Sequence, residues 1–327
     1  MNKNKQLNDF KSKINEYTKN GIPYLFVIDF ELEKPSVYKL DELEKENIYY
    51  NIKGVGNLSQ KKTENVISLK TKPVSEKKYT AAFNKVKKSI NKGDTYLLNL
   101  TFENKINIDS NFSLKEILQN AKANYKLYFK NEFISFSPES FIQIKNNKIF
   151  TYPMKGTIDA TIKNAENIIL NDLKETQEHN TIVDLLRNDL AIISKNVKIN
   201  RFRYIDKLKT SKGNILQVSS EIEGLLPENW KDNFGDIILK LLPAGSISGA
   251  PKQKTIEIIK DVEQKNRGYY TGVFGVFDGK NIDSAVLIRF IEKRKNELIY
   301  KSGGGITYLS KVDSEYEELL QKIYIPI

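Results

Sequence analysis

Residues 272–308 read GVFGVFDGKNIDSAVLIRFIEKRKNELIYKSGGGITY. Apolar runs rich in β-branched and aromatic residues are interrupted twice, at Asp278-Gly-Lys-Asn281 and at Lys293-Arg-Lys-Asn296. Such short polar breaks reverse a strand, so the segment predicts an antiparallel meander. Upstream, residues 133–154 predict a hairpin turning at Asn146-Asn147, and residues 24–30 and 47–53 predict strands. Helical spacing covers residues 78–91, closed by Gly93, and a long stretch from 165 to 193. Another helix follows Pro251, a residue suited to a first helical turn, and a short one spans about 314–323. Strand clusters with helices interspersed, without strict alternation, predict an α+β fold with antiparallel sheets. No repeat or low-complexity linker divides the 327 residues, so one intertwined domain over 1–327 is expected.

Composition narrows the chemistry. The chain has no cysteine, which excludes disulfides, thiolate nucleophiles and cysteine-ligated metals and suits a reducing cytoplasm. His179 is the single histidine, so a multi-histidine metal site is excluded. No run approaches the roughly 20 apolar residues of a membrane helix, and a cytoplasmic protein is expected. The net charge of +11 raises a nucleic-acid reading, but acids are interleaved with the lysines throughout. Lys85, Lys87 and Lys88 sit on what reads as a solvated helix face, and the charge speaks to steering of an anionic small substrate.

Four local features invite chemistry. On a helical wheel Glu175 and Glu178 fall within about 40° of Ile182, on the same side as Ile168, Leu186 and Ile193. In the last helix Glu315, Glu318 and Lys322 share one face with Leu319. Carboxylates on an apolar face are expensive without a cationic partner. The two Glu-x-x-Glu pairs would suit a hard cation such as Mg²⁺, or else each is a solvated face. The loop Pro243-Ala-Gly-Ser-Ile-Ser-Gly-Ala-Pro-Lys252 is either an anion-binding helix start or a tight turn. Gly303, Gly304 and Gly305 follow an apolar strand and make either an anion nest or a bulge. Arg289 reads as a charge inside an apolar strand, where it needs an internal acid or a substrate carboxylate.

Read in order, these pieces resemble the chorismate-binding enzyme family. The matching segments are Gly93-Asp-Thr-Tyr-Leu-Leu-Asn-Leu-Thr101, Ser135-Phe-Ser-Pro-Glu139, Tyr152-Pro-Met-Lys-Gly-Thr157, Glu178-His-Asn-Thr-Ile-Val-Asp-Leu-Leu-Arg-Asn-Asp189, Gly245-Ser-Ile-Ser-Gly-Ala-Pro-Lys252, Arg267-Gly-Tyr-Tyr-Thr-Gly272, Ile288-Arg289, Gly303-Gly-Gly-Ile306 and Glu315-Tyr-Glu-Glu318. They fall within residues 78–325, while residues 1–75 match only loosely. The resemblance implies two antiparallel sheets packed together with helices outside, and Mg²⁺ joining a chorismate carboxylate to the protein. Glu178 and Glu318 would be direct ligands, with Glu175 and Glu315 nearby or acting through water. Arg289, Tyr270, Lys322 and the amides of Gly303, Gly304 and Gly305 would hold carboxylates, with Ser246, Thr157 and Gln217 lining the site. Glu139 would be the acid assisting departure of the carbon-4 hydroxyl.

Within that family Leu97 fills the slot where water-adding members carry a lysine base, which argues against isochorismate or salicylate synthesis. Lys155 stands where anthranilate synthases carry alanine, and a lysine there is similar to the aminodeoxychorismate synthases. The resemblance then implies attack by the Lys155 amine at carbon 2 and amination at carbon 4. A neutral amine is required, so its pKa is expected to be lowered. A glutamine amidotransferase partner supplying ammonia and a separate lyase downstream are also implied. The departures are Leu97 for a usual glutamine, Gln217 for a frequent histidine, and Leu309-Ser-Lys-Val312 for the usual Asp-Ser-Asp-Pro. Anthranilate synthase is the alternative enzyme, and a basic, non-catalytic binding protein is the alternative of another class.

Overall fold

The computed structural model of the protein describes residues 3–61, 67–108, 112–210 and 213–327. Among these residues every strand pairing is antiparallel. A nine-stranded sheet runs in the order Met154–Asp159, Gly213–Leu225, Lys148–Thr151, Ser140–Lys145, Ile282–Val286, Val273–Phe277, Tyr24–Ile28, Ser36–Lys39, with Lys195–Thr210 also paired to Gly213–Leu225. An eight-stranded sheet runs Gly249–Ala250, Leu97–Ile108, Glu297–Thr307, Phe290–Arg294, Phe133–Ser137, Tyr125–Phe129, Ile48–Ile52, with Leu69–Lys72 also paired to Leu97–Ile108. The α+β expectation therefore holds.

Side-chain alternation assigns the layers. Along Tyr24–Ile28, Tyr24, Phe26 and Ile28 pack beneath the helices Lys3–Lys19 and Phe234–Leu241, against Phe10, Ile14, Phe234 and Ile238. Leu25 and Val27 point the other way, into an inter-sheet core with Leu127, Phe133, Phe274, Ala285 and Phe290. A strand covered on both faces has no polar side, which is why these five residues read as a continuous apolar run. The outer face of the second sheet is covered by helix Leu114–Asn120, whose Ile117 and Leu118 meet Ile134, Phe136, Ile291 and Tyr300. No helix among the described residues is long and apolar enough to cross a membrane.

Three predicted elements are rearranged. The 133–154 hairpin is not one unit: Phe133–Ser137 lies in the second sheet, and only Ser140–Lys145 with Lys148–Thr151 makes the hairpin turning at Asn146-Asn147. Both asparagines take the left-handed conformation that such a turn demands. The 272–308 meander likewise splits, Val273–Phe277 with Ile282–Val286 in the first sheet and Phe290–Arg294 with Glu297–Thr307 in the second. The 165–193 helix breaks at Asp172, whose extended backbone separates Ala165–Asn171 from Leu173–Ile193. The Asp172 carboxylate accepts from Glu175 N at 2.9 Å and caps the second helix. The break also takes Ile168 off the apolar face, leaving it exposed. Pro251 precedes its helix as the cap residue, and Lys252 is the first helical residue.

Sequence reading missed the long Lys195–Thr210 and Gly213–Leu225 pair, whose register shifts between Lys195 and Tyr204 break the alternation that would reveal it.

Glu103, on Leu97–Ile108, ties strand to strand and to the loop after Lys252–Glu263, accepting from Arg294 at 2.6 Å and Lys265 at 2.7 Å. Burial alone would push its carboxyl up, but the two cations outweigh it and lower the pKa to about 2. A carboxyl with a lowered folded pKa contributes stability above its unfolded value of about 4.3 and loses it as pH falls toward 2. Glu103→Gln is expected to cost about 1–2 kcal/mol at pH 7, with the gap to wild type narrowing as pH falls below about 4.3. Urea unfolding at stepped pH measures this, and a gap independent of pH would contradict it.

Candidate active site

Two backbone crossings create the site. The chain leaves the second sheet for the first through Pro138-Glu139 and makes the reverse crossing through Leu287, Ile288 and Arg289. The crossings lie side by side: Val286 N donates to Glu139 O at 3.3 Å, and Phe136 N donates to Arg289 O at 3.1 Å. Ser135 Oγ adds a bond to Ile288 O at 2.8 Å. Arg289 takes φ 50°, so it is not a strand residue as its apolar neighbours suggest. It is the corner itself.

A cleft of about 320 Å³ opens beside these crossings. Its wall includes Glu139, Lys155, Thr157, Glu178, Gln217, Ser246, Tyr270, Arg289, Gly303, Gly304, Gly305, Glu318 and Lys322. Residues spread over more than half of the chain thus meet around one space. Glu175 and Glu315 stand behind the wall. Strand pairing explains part of the convergence, since Thr157 lies opposite Gln217 and Gly305 opposite Asn99.

Four glutamates and three lysines interlock. Lys155 Nζ lies 2.7 Å from Glu178 Oε2, and Lys322 Nζ lies 2.7 Å from Glu318 Oε1. Lys174 Nζ stands 3.8 Å from Glu178 Oε1 and 3.5 Å from Glu315 Oε1. Burial pushes the Lys155 pKa down, but Glu178, Glu318 and Glu175 together outweigh it and leave it raised. These glutamates favour the ammonium form of the amine, opposite in direction to the lowering expected from burial or a nearby cation. Burial raises Glu175 and Glu315, with neighbouring acids adding to it. Glu318 goes the other way, because Lys322, Lys155 and Lys174 overcome its desolvation.

Among the described residues no three acids converge closely enough, as arranged, to hold a metal ion. Two buried carboxylate oxygens, Glu175 Oε2 and Glu178 Oε1, nevertheless have no hydrogen-bond partner. Such oxygens, in a set made only of carboxylates, are the donors a hard cation takes.

Glu139 is pushed up by burial, against a hydrogen bond from Ser246 and the charges of Lys322 and Lys155. A carboxyl held toward its protonated form can donate. Arg289 donates to Lys322 O at 2.6 Å and lies over the Tyr324 ring, and among the described residues it makes no ion pair. The internal-acid alternative for Arg289 is thus not what the fold builds. Gly303, Gly304 and Gly305 form no nest and no strand end; they continue Glu297–Thr307 against Leu97–Ile108. Gly303 O accepts from Lys322 Nζ at 2.9 Å, so this residue's polar groups point away from its partner strand.

The family model for chorismate binding enzymes matches residues 15–327. The chain belongs to the chorismate-binding enzyme family. An uncharacterized PabA-like protein of Pasteurella multocida is 48% identical over 323 residues, covering 98% of this chain and 99% of its own. Aminodeoxychorismate synthase component 1 of Bacillus subtilis is 30% identical over 266 residues, 77% of this chain but only 55% of that one. The crystal structure of anthranilate synthase component I from Streptococcus pneumoniae matches at TM-score 0.66 and 25% identity, over 80% of this chain and 60% of that one. The menaquinone-specific isochorismate synthase of Escherichia coli shares the fold at TM-score 0.71 and 15% identity, over 97% of this chain and 80% of that one.

The family match begins at residue 15, so it takes in most of the N-terminal stretch that carries no motif. Several cleft residues of this chorismate-binding enzyme receive no role from sequence reading, among them Asn99 and Thr181, which lie in matching segments, and Tyr300 and Lys301. Lys301 carried a signal, being a charge at the end of an apolar strand. It is buried, donates to Arg267 O at 2.9 Å and pairs with Glu292 at 3.0 Å. Arg267 lies in a recognised segment but its role was not legible. Buried against Glu263, it also reaches Asn99 O and Ile247 O, fastening strand, turn and helix behind the cleft. His179 is buried away from the cleft, with Nε2 on Ser220 Oγ at 2.7 Å.

Two glycines should separate scaffold from cleft. Gly249 has φ 130°, and a Cβ there would stand 1.9 Å from Leu97 O. Gly304→Ala would place its methyl 3.6 Å from Glu318 Oε1 and Lys322 Nζ, an ordinary contact inside the cleft. Gly249→Ala is expected to lose about 3 kcal/mol or more of stability, and Gly304→Ala about 1 kcal/mol or less. Gly304→Ala should instead raise the KM for chorismate, so thermal unfolding and steady-state kinetics on both variants check the pair.

Proposed function

We propose that this chain acts as an aminodeoxychorismate synthase component I, converting chorismate and ammonia to 4-amino-4-deoxychorismate and water. The observation that carries the reading is Lys155, whose amine projects into the cleft on the strand Met154–Asp159, beside Glu178 and within the field of Glu139. The aminodeoxychorismate synthase relative from Bacillus subtilis supports it.

Attack by the neutral Lys155 amine at carbon 2 moves the ring double bonds and expels the carbon-4 hydroxyl. Glu139, favoured in its protonated form, delivers the proton that lets this group leave as water. Ammonia then adds at carbon 4, the double bonds return, and the lysine amine departs from carbon 2. Two moderate substitutions replace one difficult one. The lysine must first give up its pairing with Glu178, since an ammonium cannot attack. Arg289 and Lys322, which line the same cleft, supply cationic donors for substrate carboxylates, and Tyr270 supplies a hydroxyl.

Mg²⁺ fits the donor set, with Glu178 and Glu318 facing the cleft as direct ligands and Glu175 and Glu315 behind them. When bound, it would neutralise and orient a substrate carboxylate. Ammonia comes from outside these 327 residues, because the cysteine nucleophile of a glutamine amidotransferase is missing from them. A partner of that kind is proposed, with a lyase acting on the product.

The test is product analysis with chorismate, Mg²⁺ and ammonium. Wild type should yield p-aminobenzoate only when a lyase is added, Lys155→Ala should lose that product, and Glu139→Gln should slow the reaction by about 10²–10⁴-fold. Direct appearance of fluorescent anthranilate would favour the anthranilate synthase reading, and full activity in Lys155→Ala would remove the covalent role.

A further inference from the structure

We propose that Lys174 is a built-in counter-ion of the acidic cluster, occupying charge space that a divalent cation must take, and so sets how tightly the chain holds that cation. The inference rests on the metal reading above, and it concerns a residue to which that reading gives no role.

Lys174 lies in the first turn of Leu173–Ile193, and its ammonium reaches across to Val312–Gln321. It stands 3.8 Å from Glu178 Oε1 and 3.5 Å from Glu315 Oε1. The first distance is too long for a hydrogen bond, and Glu178 Oε1 has no other partner although it is buried. Glu315 Oε1 accepts a short bond from Ser310 Oγ at 2.7 Å and only a long one, 3.5 Å, from Lys174. Lys174 therefore neutralises the space between two helices without saturating either carboxylate. A cation that ligates Glu178 Oε1 would bind at about 2.1 Å, well inside the lysine's own approach.

The charge count points the same way. Glu175, Glu178, Glu315 and Glu318 carry four formal negative charges, against three positive ones on Lys155, Lys174 and Lys322. Lys155 and Lys322 belong to the substrate side of the cleft, whereas Lys174 does not line it. Its side chain is 41% exposed, so it can swing into water when displaced, which the more enclosed Lys155 cannot do as easily. Without Lys174 the cluster carries a formal charge of minus two, matched to one divalent cation.

The experiment titrates Mg²⁺ into the full chain in the absence of chorismate, by calorimetry and by the rise in melting temperature. Lys174→Met and Lys174→Gln should lower the Kd for Mg²⁺ by about tenfold at low ionic strength and enlarge the Mg²⁺-induced shift, an advantage that shrinks with added salt. Lys174→Arg, which keeps the charge, should bind like wild type. Unchanged or weaker binding in both neutral variants, with wild type binding normally, overturns the proposal and leaves the metal reading standing. Absence of Mg²⁺ binding in wild type and in every variant overturns the metal reading and this proposal with it. Product analysis is not involved, so the amination chemistry is judged separately.

Discussion

Everything in this enzyme's cleft depends on two backbone crossings being forced to lie together. The chain passes between sheets at Pro138-Glu139 and again at Leu287–Arg289, and the two segments bond to each other through Glu139 O and Arg289 O. Where strands leave one sheet for the other, the sheets no longer pack face to face, and a cavity results. The two crossings also deliver chemistry. A carboxyl that favours its proton and a guanidinium without an acid partner reach the same cavity because each is the corner residue of its crossing.

The glutamates of two helices interlock with Lys155, Lys174 and Lys322, and Glu139, Ser246 and Tyr270 line the same cleft. Burying so many ionised groups is costly unless each is paired, and the pairing here is incomplete. Glu175 Oε2 and Glu178 Oε1 lack donors, and burial raises Glu175 and Glu315. That residual demand fits cation binding. The same Glu178 is the counter-ion of Lys155 at 2.7 Å and favours its charged form.

Behind the charges stands a rigid support. Arg267 and Glu263 pair in the interior, and Arg267 also binds the carbonyls of Asn99 and Ile247. Gly249 allows the backbone of the small-residue loop to press against Leu97 O, where any side chain would collide. Family membership covers residues 15–327, and the relatives that share it carry the names of different chorismate reactions. The scaffold is shared among them.

The sequence by itself determined the α+β class, the antiparallel turns at Asn146-Asn147 and Asp278–Asn281, and part of the polar lining of the cleft, with Asn99, Thr181, Tyr300 and Lys301 given no role. These were legible because turn chemistry and ordered motifs are local properties of the chain. Tertiary structure alone decided which sheet each strand joined, since both hairpin partners of a crossing look apolar and only long-range pairing separates them. It decided that Arg289 is a corner and that the three glycines continue a strand, because backbone angles follow from crossings that periodicity does not register. It broke the long helix at Asp172, where a capping carboxylate outweighed continuous helical spacing. And it set the direction of the Lys155 pKa shift, because Glu178 at 2.7 Å, together with Glu318 and Glu175 from other elements, outweighs the desolvation that sequence reasoning had counted on.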